Sequence, residues 1–357
     1  MKRAISAIVV FCLAAGILSA CGKNTGMTRY QATFLNLFDT VTVISGYEKD
    51  NDTFSEKVSE IHDELLVYHQ LYDIYHDYDG VNNIKTINDN AGIKPVKVDD
   101  AILSMLDLAK EMYDRTGGMM NVAMGSVLTL WHDAREKSTD DPEYAYLPSQ
   151  ENLLSAAEHT DITKMVIDRE NKTVYLEDPK MRLDVGAIGK GYAVEAVCRS
   201  MAEKGLNHYV VSVGGNIRAI GAQAAGMDWK IAVENPDNSD NALMYLGISD
   251  MSVVTSGIYQ RYFTVDGVRY HHIIDPVSLY PKNDYAAVTI LTKNSAVADA
   301  LSTALFNMSQ KDGLSLIESM QGTEALWVYP DGTKKYSSGF LNYKTEAPAA
   351  SSDTKTE

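Results

Sequence analysis

The carboxylate of Asp299 and the hydroxyl of Thr303 lie four residues apart in the segment Ala298–Thr303, which reads ADALST. The surrounding residues, 295–308, predict a helix, and positions four apart lie on the same face of a helix. Asp299 and Thr303 would therefore present two hard oxygen ligands side by side, which is the chemistry that Mg²⁺ or Ca²⁺ prefers. A solvated face with a local hydrogen bond is the alternative interpretation of this pair.

A second segment, Leu183–Gly191, reads LDVGAIGKG and predicts a glycine-rich turn that leads into a helix. Backbone amides at the start of a helix favour phosphate, and Lys190 would add a positive charge. The segment is not a Walker A loop, because Asp184 and Gly191 stand where that motif needs Gly and Ser or Thr. A tight turn without a ligand is the alternative.

A third segment, His271–Pro276, reads HHIIDP. A histidine there can serve as a general base near neutral pH, and a histidine that faces the core is the alternative. The sequence contains neither the H-E-x-x-H zinc motif nor the G-x-S-x-G motif of α/β-hydrolases.

The N-terminus has the form of a bacterial export signal. Lys2 and Arg3 precede an apolar run, and small residues then surround Cys21 in the order LSACG. This ending resembles a lipobox, so we expect a lipoprotein signal peptide over residues 1–20, lipidation of Cys21 and a spacer over residues 21–30. A plain cleaved signal is the alternative. The expected location is the extracytoplasmic face of the cell membrane, with the protein anchored by lipid.

Composition excludes two classes of protein. The 357 residues carry a formal net charge of −16, whereas binding of a nucleic-acid backbone requires clustered Lys and Arg. Three cysteines cannot form a disulfide framework for a chain of this length. Cys12 would be lost with the signal and Cys21 would carry lipid, which leaves Cys198 as a free thiol.

The elements that must position these residues are helices and strands mixed without strict alternation, which predicts an α+β fold with mixed sheets and packed helices. Residues 137–150 are polar and predict a surface loop, and residues 344–357 predict a disordered tail. Predicted strands span 37–45, 164–168, 173–177, 209–213, 229–234, 244–248 and 287–292, and predicted helices lie near 54–68, 99–115, 189–204 and 295–308.

The order of the motifs closely resembles that of the ApbE-like FAD:protein FMN transferases, which are exported and often lipid-anchored. The resemblance covers roughly residues 30–340. It is specific, because three separated motifs, D-x-x-A-x-x-K, H-x-I-D-P and D-x-x-x-T, appear in the family order. It implies a T-fold-like catalytic unit with two lobes over residues 31–343. The matching segments are FDT at Phe38, LDVGAIGKG at Leu183, SVGGN at Ser212, TSG at Thr255, HIIDP at His272 and ADALST at Ala298.

The resemblance also implies substrates and residue roles. FAD would donate FMN to a Ser or Thr of an extracytoplasmic or membrane acceptor flavoprotein, with release of AMP, and His272 would be the base. The implied Mg²⁺ ligands are the carbonyl of Ala187 with Asp299 and Thr303. The implied flavin contacts are Phe38, Tyr75, Ala123, Met124, Asp184, Lys190 and Ile273.

Two segments depart from the family pattern. The family's D-x-T-V-G-P reads NVAMGS from Asn121 here, and Ile258 stands where an acid is frequent. These changes bear on flavin affinity and acceptor choice. Two other functions remain open: hydrolysis of FAD to FMN and AMP by the same site, and a non-catalytic lipoprotein that binds flavin or another solute. Such a binder would need neither the metal pair nor the base.

Overall fold

The computed structural model describes residues 26–237 and 241–348, and within these ranges the chain has eight α-helices. The predicted signal peptide and Cys21 lie outside the described residues. The same ranges also contain three short 3₁₀ helices, at Pro142–Tyr144, Ile162–Lys164 and Phe340–Tyr343. The α-helices are α1 Asn51–Tyr72, α2 Ile84–Asp89, α3 Asp100–Arg115, α4 Gly125–Asp140, α5 Gln150–Ala157, α6 Gly189–Glu203, α7 Ser295–Asn307 and α8 Gln310–Glu318.

The strands of the described ranges form one large antiparallel sheet and three small ones. The large sheet has the order β1-β2-β6-β7-β10-β13-β14-β15, and the small sheets are β3-β5-β4, β16-β9-β8 and β11-β12. The fold is α+β, as expected. The strands are β1 Thr28–Leu37, β2 Thr40–Glu48, β3 Val96–Lys97, β4 Met165–Asp168, β5 Thr173–Leu176, β6 Tyr209–Val213, β7 Asn216–Ile220, β8 Trp229–Val233, β9 Met244–Ile248, β10 Ser252–Gly257, β11 Tyr262–Val265, β12 Val268–His271, β13 Ala287–Thr292, β14 Glu324–Val328, β15 Lys334–Tyr336 and β16 Lys344–Thr345.

Helix α7 lies at the centre of the molecule, packed between α6 and the strands β10 and β13. Its sequence is apolar on most sides, so most of its residues are buried. Asn294 caps its N-terminus by accepting hydrogen bonds from the amides of Ala296 at 2.9 Å and Val297 at 3.1 Å. Four polar residues of α7 are buried with it, Ser295, Asp299, Ser302 and Asn307. The helix thus places the Asp299 carboxylate inside the protein, where it needs partners.

Several local predictions are confirmed. Strands β4 and β5 pair as an antiparallel hairpin, with Met165 opposite Leu176. Helix α3 begins after Asp99, whose side chain accepts the amide of Ala101 at 2.8 Å. Both features depend on neighbouring residues, so the sequence pattern was sufficient to predict them. No helix among residues 26–237 and 241–348 combines the length and apolar character needed to cross a membrane.

The predicted strand over residues 37–45 is confirmed from Thr40 onward, but it does not begin at Leu37, because the chain reverses direction at Phe38 and Asp39. Phe38 and Asp39 have φ of 53° and 51°, and Leu37 pairs with Thr40 across this two-residue turn. Positive φ at both central residues is the type I′ geometry of β-hairpins, which usually carries Asn or Gly. Since Phe-Asp lacks that signature, the turn was not visible in the sequence.

Three predicted boundaries also need correction. The predicted surface loop 137–150 begins later than expected, because α4 continues to Asp140; a short 3₁₀ helix follows at Pro142–Tyr144, and residues 145–149 have no regular structure. Strand β1 begins at Thr28, inside the predicted spacer 21–30, since this segment pairs with β2. Lys344 and Thr345, predicted to start the tail, pair with Leu246 and Tyr245 of β9. In both terminal segments, backbone pairing to another strand orders residues whose own side chains are mostly polar.

Candidate functional site

One cleft of about 1230 Å³ gathers almost all of the predicted site residues. This volume exceeds the roughly 300–1,000 Å³ of pockets for drug-sized ligands, so the cleft has room for a larger molecule. The predicted residues that line it are Phe38, Tyr75, Met124, Asp184, Ala187, Lys190, His272, Ile273, Asp299 and Thr303.

Ala123 is the predicted site residue that the structure does not bring to the cleft. Its side chain is completely buried, it is absent from the cleft lining, and its amide donates to Asn121 Oδ1 at 2.9 Å. Asn121 itself lines the cleft and donates to the carbonyl of Thr160 at 3.0 Å. The segment therefore offers the side chains of Asn121 and Met124 to a ligand, while Ala123 packs in the core.

A close approach of two helices brings Asp299 to the glycine-rich segment. The amide of Gly191, in the first turn of α6, donates to Asp299 Oδ2 at 2.8 Å. A Cβ atom at Gly191 would lie within 3.0 Å of both Asp299 Cβ and the carbonyl oxygen of Ser295. Only glycine fits here, because any side chain would push α6 away from α7 and separate the two motifs.

The donor set around Asp299 is the kind that suits a hard cation. The carbonyl of Ala187, the carboxylate of Asp299 and the hydroxyl of Thr303 belong to residues lining the same cleft. Within the described ranges, no group of three or more His, Cys, Asp or Glu is arranged to hold a metal ion. A cation at this position would therefore be held by one charged ligand and neutral oxygens, which is how Mg²⁺ is commonly bound together with substrate phosphates.

The loop before α6 is held by its own polar groups and by a buried asparagine. Asp184 Oδ1 accepts the amide of Gly186 at 2.8 Å, and Lys190 Nζ donates to the carbonyl of Gly186 at 3.2 Å. Asn88 pairs with both backbone groups of Leu183, at 2.7 Å and 3.0 Å. We call Asp184–Gly191, together with Asp299 and Thr303, the glycine-rich wall of the cleft.

The two adjacent histidines have different surroundings. His271 uses both ring nitrogens, because Nε2 donates to the carbonyl of Lys282 at 2.7 Å and Nδ1 accepts the amide of Ile273 at 3.2 Å. His272 Nδ1 lies 3.2 Å from the carbonyl oxygen of Arg261. Since a carbonyl only accepts, Nδ1 must carry the proton, and Nε2 of His272 keeps a lone pair.

Electrostatics keep His272 neutral. Withdrawal of the ring from solvent lowers its pKa to about 3, and the positive charges of Arg261 and Lys190 act in the same direction, against the bond to the Arg261 carbonyl. Part of the residue's surface nevertheless stays open to the cleft that it lines. A neutral imidazole with a free Nε2 in a cleft can accept a proton from a bound hydroxyl.

The opposite side of the cleft is formed by aromatic side chains, and we call Phe38, His69 and Asp73–Tyr78 the aromatic wall. Tyr75 is 49% exposed and stacks on His132 with ring centroids 5.0 Å apart. Burial raises the pKa of Tyr75 to about 12, with Asp184 acting in the same direction. A half-exposed tyrosine whose ring stacks on a neighbouring side chain is suited to bind a flat ring.

Two arginines of the cleft lining were missed by sequence reasoning. Arg135 lies on α4, and Arg261 lies between β10 and β11. Arg135 Nη2 lies 2.8 Å from His132 Nδ1. Neither arginine forms an ion pair with a carboxylate among the described residues. Only the tertiary fold brings the helix position of Arg135 and the loop position of Arg261 to one cleft.

The fold and site together define a mixed α+β protein with a large cleft that carries oxygen donors, a lysine and a free imidazole nitrogen. The ApbE family model matches residues 37–327 of this chain. The chain therefore belongs to the ApbE family, as the resemblance predicted.

Relatives with curated names cover nearly the whole chain. The FAD:protein FMN transferase of Treponema pallidum is 29% identical over 354 residues, which span 94% of this chain and 93% of that protein. The FAD:protein FMN transferase of Haemophilus influenzae is 26% identical, over 99% of this chain and 100% of the relative.

Solved structures of the family share the fold. The ApbE protein of Thermotoga maritima matches with a TM-score of 0.78 and 28% identity, over 89% of this chain and 100% of that one. The flavin transferase ApbE of Vibrio cholerae matches with a TM-score of 0.74 and 26% identity, over 89% of this chain and 99% of that one. The residues matched by the family model, 37–327, include the glycine-rich wall, the aromatic wall and the histidine segment.

Proposed function

We propose that this protein is an FAD:protein FMN transferase that depends on Mg²⁺ and attaches FMN to a Ser or Thr of an acceptor protein, with release of AMP. The observation that carries the proposal is the single cleft in which Lys190, three oxygen-donor residues and the free Nε2 of His272 meet. Curated relatives of nearly full length bear the name of this transferase.

The glycine-rich wall would receive the pyrophosphate of FAD. Lys190 would neutralise part of the charge on the phosphates, and Ala187, Asp299 and Thr303 would hold the metal ion. When bound, Mg²⁺ supplies further charge neutralisation and orients the phosphorus on the flavin side. Tyr75, Phe38, Met124 and Ile273 would contact the flavin.

The transfer step needs no reactant besides FAD and the acceptor hydroxyl. The acceptor hydroxyl oxygen forms a bond to the flavin-side phosphorus, and the bond from that phosphorus to the bridging oxygen breaks. The hydroxyl proton moves to Nε2 of His272, and AMP leaves with the bridging oxygen. The product is FMN joined to the acceptor through a phosphoester.

We further propose that the protein works at the extracytoplasmic face of the cell membrane, tethered through lipid on Cys21. The signal-like sequence before Cys21 supports this location. The acceptors suited to it are flavoprotein subunits of membrane redox complexes or extracytoplasmic electron-transfer lipoproteins.

The test is incubation of the purified protein with FAD, Mg²⁺ and a candidate acceptor, followed by denaturing electrophoresis. Flavin fluorescence that stays with the acceptor band is expected. Release of free FMN and AMP without labelled acceptor would assign hydrolysis instead, and unchanged FAD would assign a binding protein. Replacing the acceptor's Ser or Thr by Ala is the matched control, because it removes only the attacking oxygen.

A further inference from the structure

We propose that Asp73, acting through Tyr78 and His69, is a positioning residue that fixes both aromatic flavin contacts, Tyr75 and Phe38. The inference rests on the proposed function, since it concerns how the cleft holds FAD. It assigns a role to three polar side chains of the aromatic wall that the transfer step does not use.

The carboxylate of Asp73 organises the loop that follows α1. Oδ1 accepts the amides of Tyr75 at 2.6 Å and His76 at 3.0 Å. Oδ2 accepts the hydroxyl of Tyr78 at 2.7 Å and lies 3.0 Å from His76 Nδ1. The Asp73 side chain is only 6% exposed, and these hydrogen bonds lower its pKa although burial alone would raise it. Its acceptor positions are thus occupied by the protein itself.

The network continues from Asp73 to the β1–β2 turn. The Tyr78 hydroxyl, which gives its proton to Asp73, lies 3.4 Å from His69 Nε2. His69 Nδ1 accepts the amide of Phe38 at 3.1 Å. Because Nδ1 must accept, Nε2 carries the proton and donates to the Tyr78 oxygen. Burial lowers the pKa of His69, which favours this neutral form.

All the donors of this series of hydrogen bonds point in one direction. The Phe38 amide donates to His69, His69 donates to Tyr78, and Tyr78 donates to Asp73. Phe38 occupies a turn position with φ of 53°, which a bulky residue adopts only when its surroundings hold it there. Its ring also meets the edge of the His69 ring, with centroids 5.5 Å apart. The carboxylate therefore holds the backbone amide of Tyr75 directly and that of Phe38 through two side chains.

Tyr78→Phe tests the link, because it removes one hydroxyl and keeps the ring. FAD affinity of the full protein, measured by equilibrium titration without acceptor, should weaken roughly fivefold or more, as the loss of a partly buried hydrogen bond to a carboxylate implies. Asp73→Asn should weaken it at least as much. An amide nitrogen facing Tyr78 would donate to the Tyr78 oxygen and so reverse the direction of donation along the series. His69 would then present a proton to the Phe38 amide, which cannot accept it.

The matched control is Tyr285→Phe. Tyr285 also donates a hydroxyl hydrogen bond, to the carbonyl of Met308 at 3.2 Å, but it is not part of the cleft lining. Both tyrosine variants should lose stability to urea, Tyr78→Phe somewhat more because its partner is a carboxylate, and only Tyr78→Phe should lose FAD affinity. In transfer assays, the KM for FAD should rise more than kcat falls.

Unchanged FAD affinity in Tyr78→Phe, or an equal loss in Tyr285→Phe, would overturn the positioning role. The titration needs no turnover, so its result is separate from the gel assay of FMN attachment. A wild-type protein that binds FAD but labels no acceptor would refute the proposed transfer, while the comparison of the two tyrosine variants would still decide the role of Asp73.

Discussion

The two walls of the cleft are held in place by different forces. In the glycine-rich wall, Gly191 permits contact between α6 and α7, and the buried Asp299 receives a backbone amide. In the aromatic wall, Tyr75 stands half-exposed on a loop that is ordered mainly by hydrogen bonds to Asp73. Close packing tolerates almost no displacement, whereas a hydrogen-bonded loop can adjust. We infer that the glycine-rich wall determines the chemical step and the aromatic wall determines affinity for the flavin.

The largest effect should come from His272→Ala. Loss of the base is expected to lower FMN transfer by ~10²–10⁴-fold while FAD binding stays largely intact, as measured by initial rates of acceptor labelling and by titration. His62→Ala, on α1 and outside the cleft lining, should transfer at the normal rate. Transfer undiminished by His272→Ala would remove this residue from the mechanism.

The pH dependence follows from the same side chain. Because its pKa is lowered to about 3, His272 of the free enzyme stays unprotonated as the pH falls from 7 to 5. Protonation of this base should therefore not reduce kcat/KM for FAD in that range. A loss of kcat/KM centred near 6.5 that disappears in His272→Ala would show an ordinary histidine instead.

Two substitutions of Asp299 separate the effect of its charge from the effect of its packing in the glycine-rich wall. Asp299→Ala and Asp299→Asn should each reduce Mg²⁺-stimulated transfer by roughly 10³-fold, since a metal ion supplies several kcal/mol to such a step. Asp299→Asn keeps an oxygen for the Gly191 amide, so its urea stability should exceed that of Asp299→Ala.

Rates measured with and without Mg²⁺ decide between the two roles of Asp299. If Asp299→Asn kept its stimulation by Mg²⁺, the carboxylate would be a packing partner of α6 rather than a ligand, and the contrast between the walls would fail.

The smallest effect should come from the aromatic wall. Tyr75→Leu removes the ring that stacks on His132 and should weaken FAD binding roughly 3- to 10-fold, the range for an aromatic pair. Tyr144→Leu, at a fully surface position with 74% exposure, is the control and should bind FAD normally. A loss of affinity larger in Asp299→Asn than in Tyr75→Leu would reverse the division of roles.

Much of the site could be predicted because its motifs are local. Asp299 and Thr303 share a helix face through a spacing of four, and Gly189–Glu203 begins where the glycine-rich turn ends. The hairpin of β4 and β5 and the cap at Asp99 were visible for the same reason. Each depends on residues within a few positions of one another.

The missed features depend on contacts between distant segments. The Phe38–Asp39 turn lacks the usual turn residues and is held by His69, 31 positions away. Ala123 is buried while Asn121 and Met124 reach the cleft, which the residue types alone do not reveal. Arg135 and Arg261 carry no motif, and only the packing of α4 beside β11 brings them together.

The sequence by itself determined the family, the α+β class and the chemistry of the donor residues, because side-chain type and short spacing are encoded along the chain. The cysteines show the same division between sequence and structure. The sequence predicts lipid on Cys21 and a free thiol at Cys198, and the structure shows that Cys198 is buried, which raises the pKa of its thiol. The tertiary structure decided which histidine has a free nitrogen and which polar groups position the aromatic wall. Those outcomes depend on hydrogen-bond partners such as the Arg261 carbonyl and the Asp73 carboxylate, and the folded chain alone brings such partners within 3 Å or so of each other.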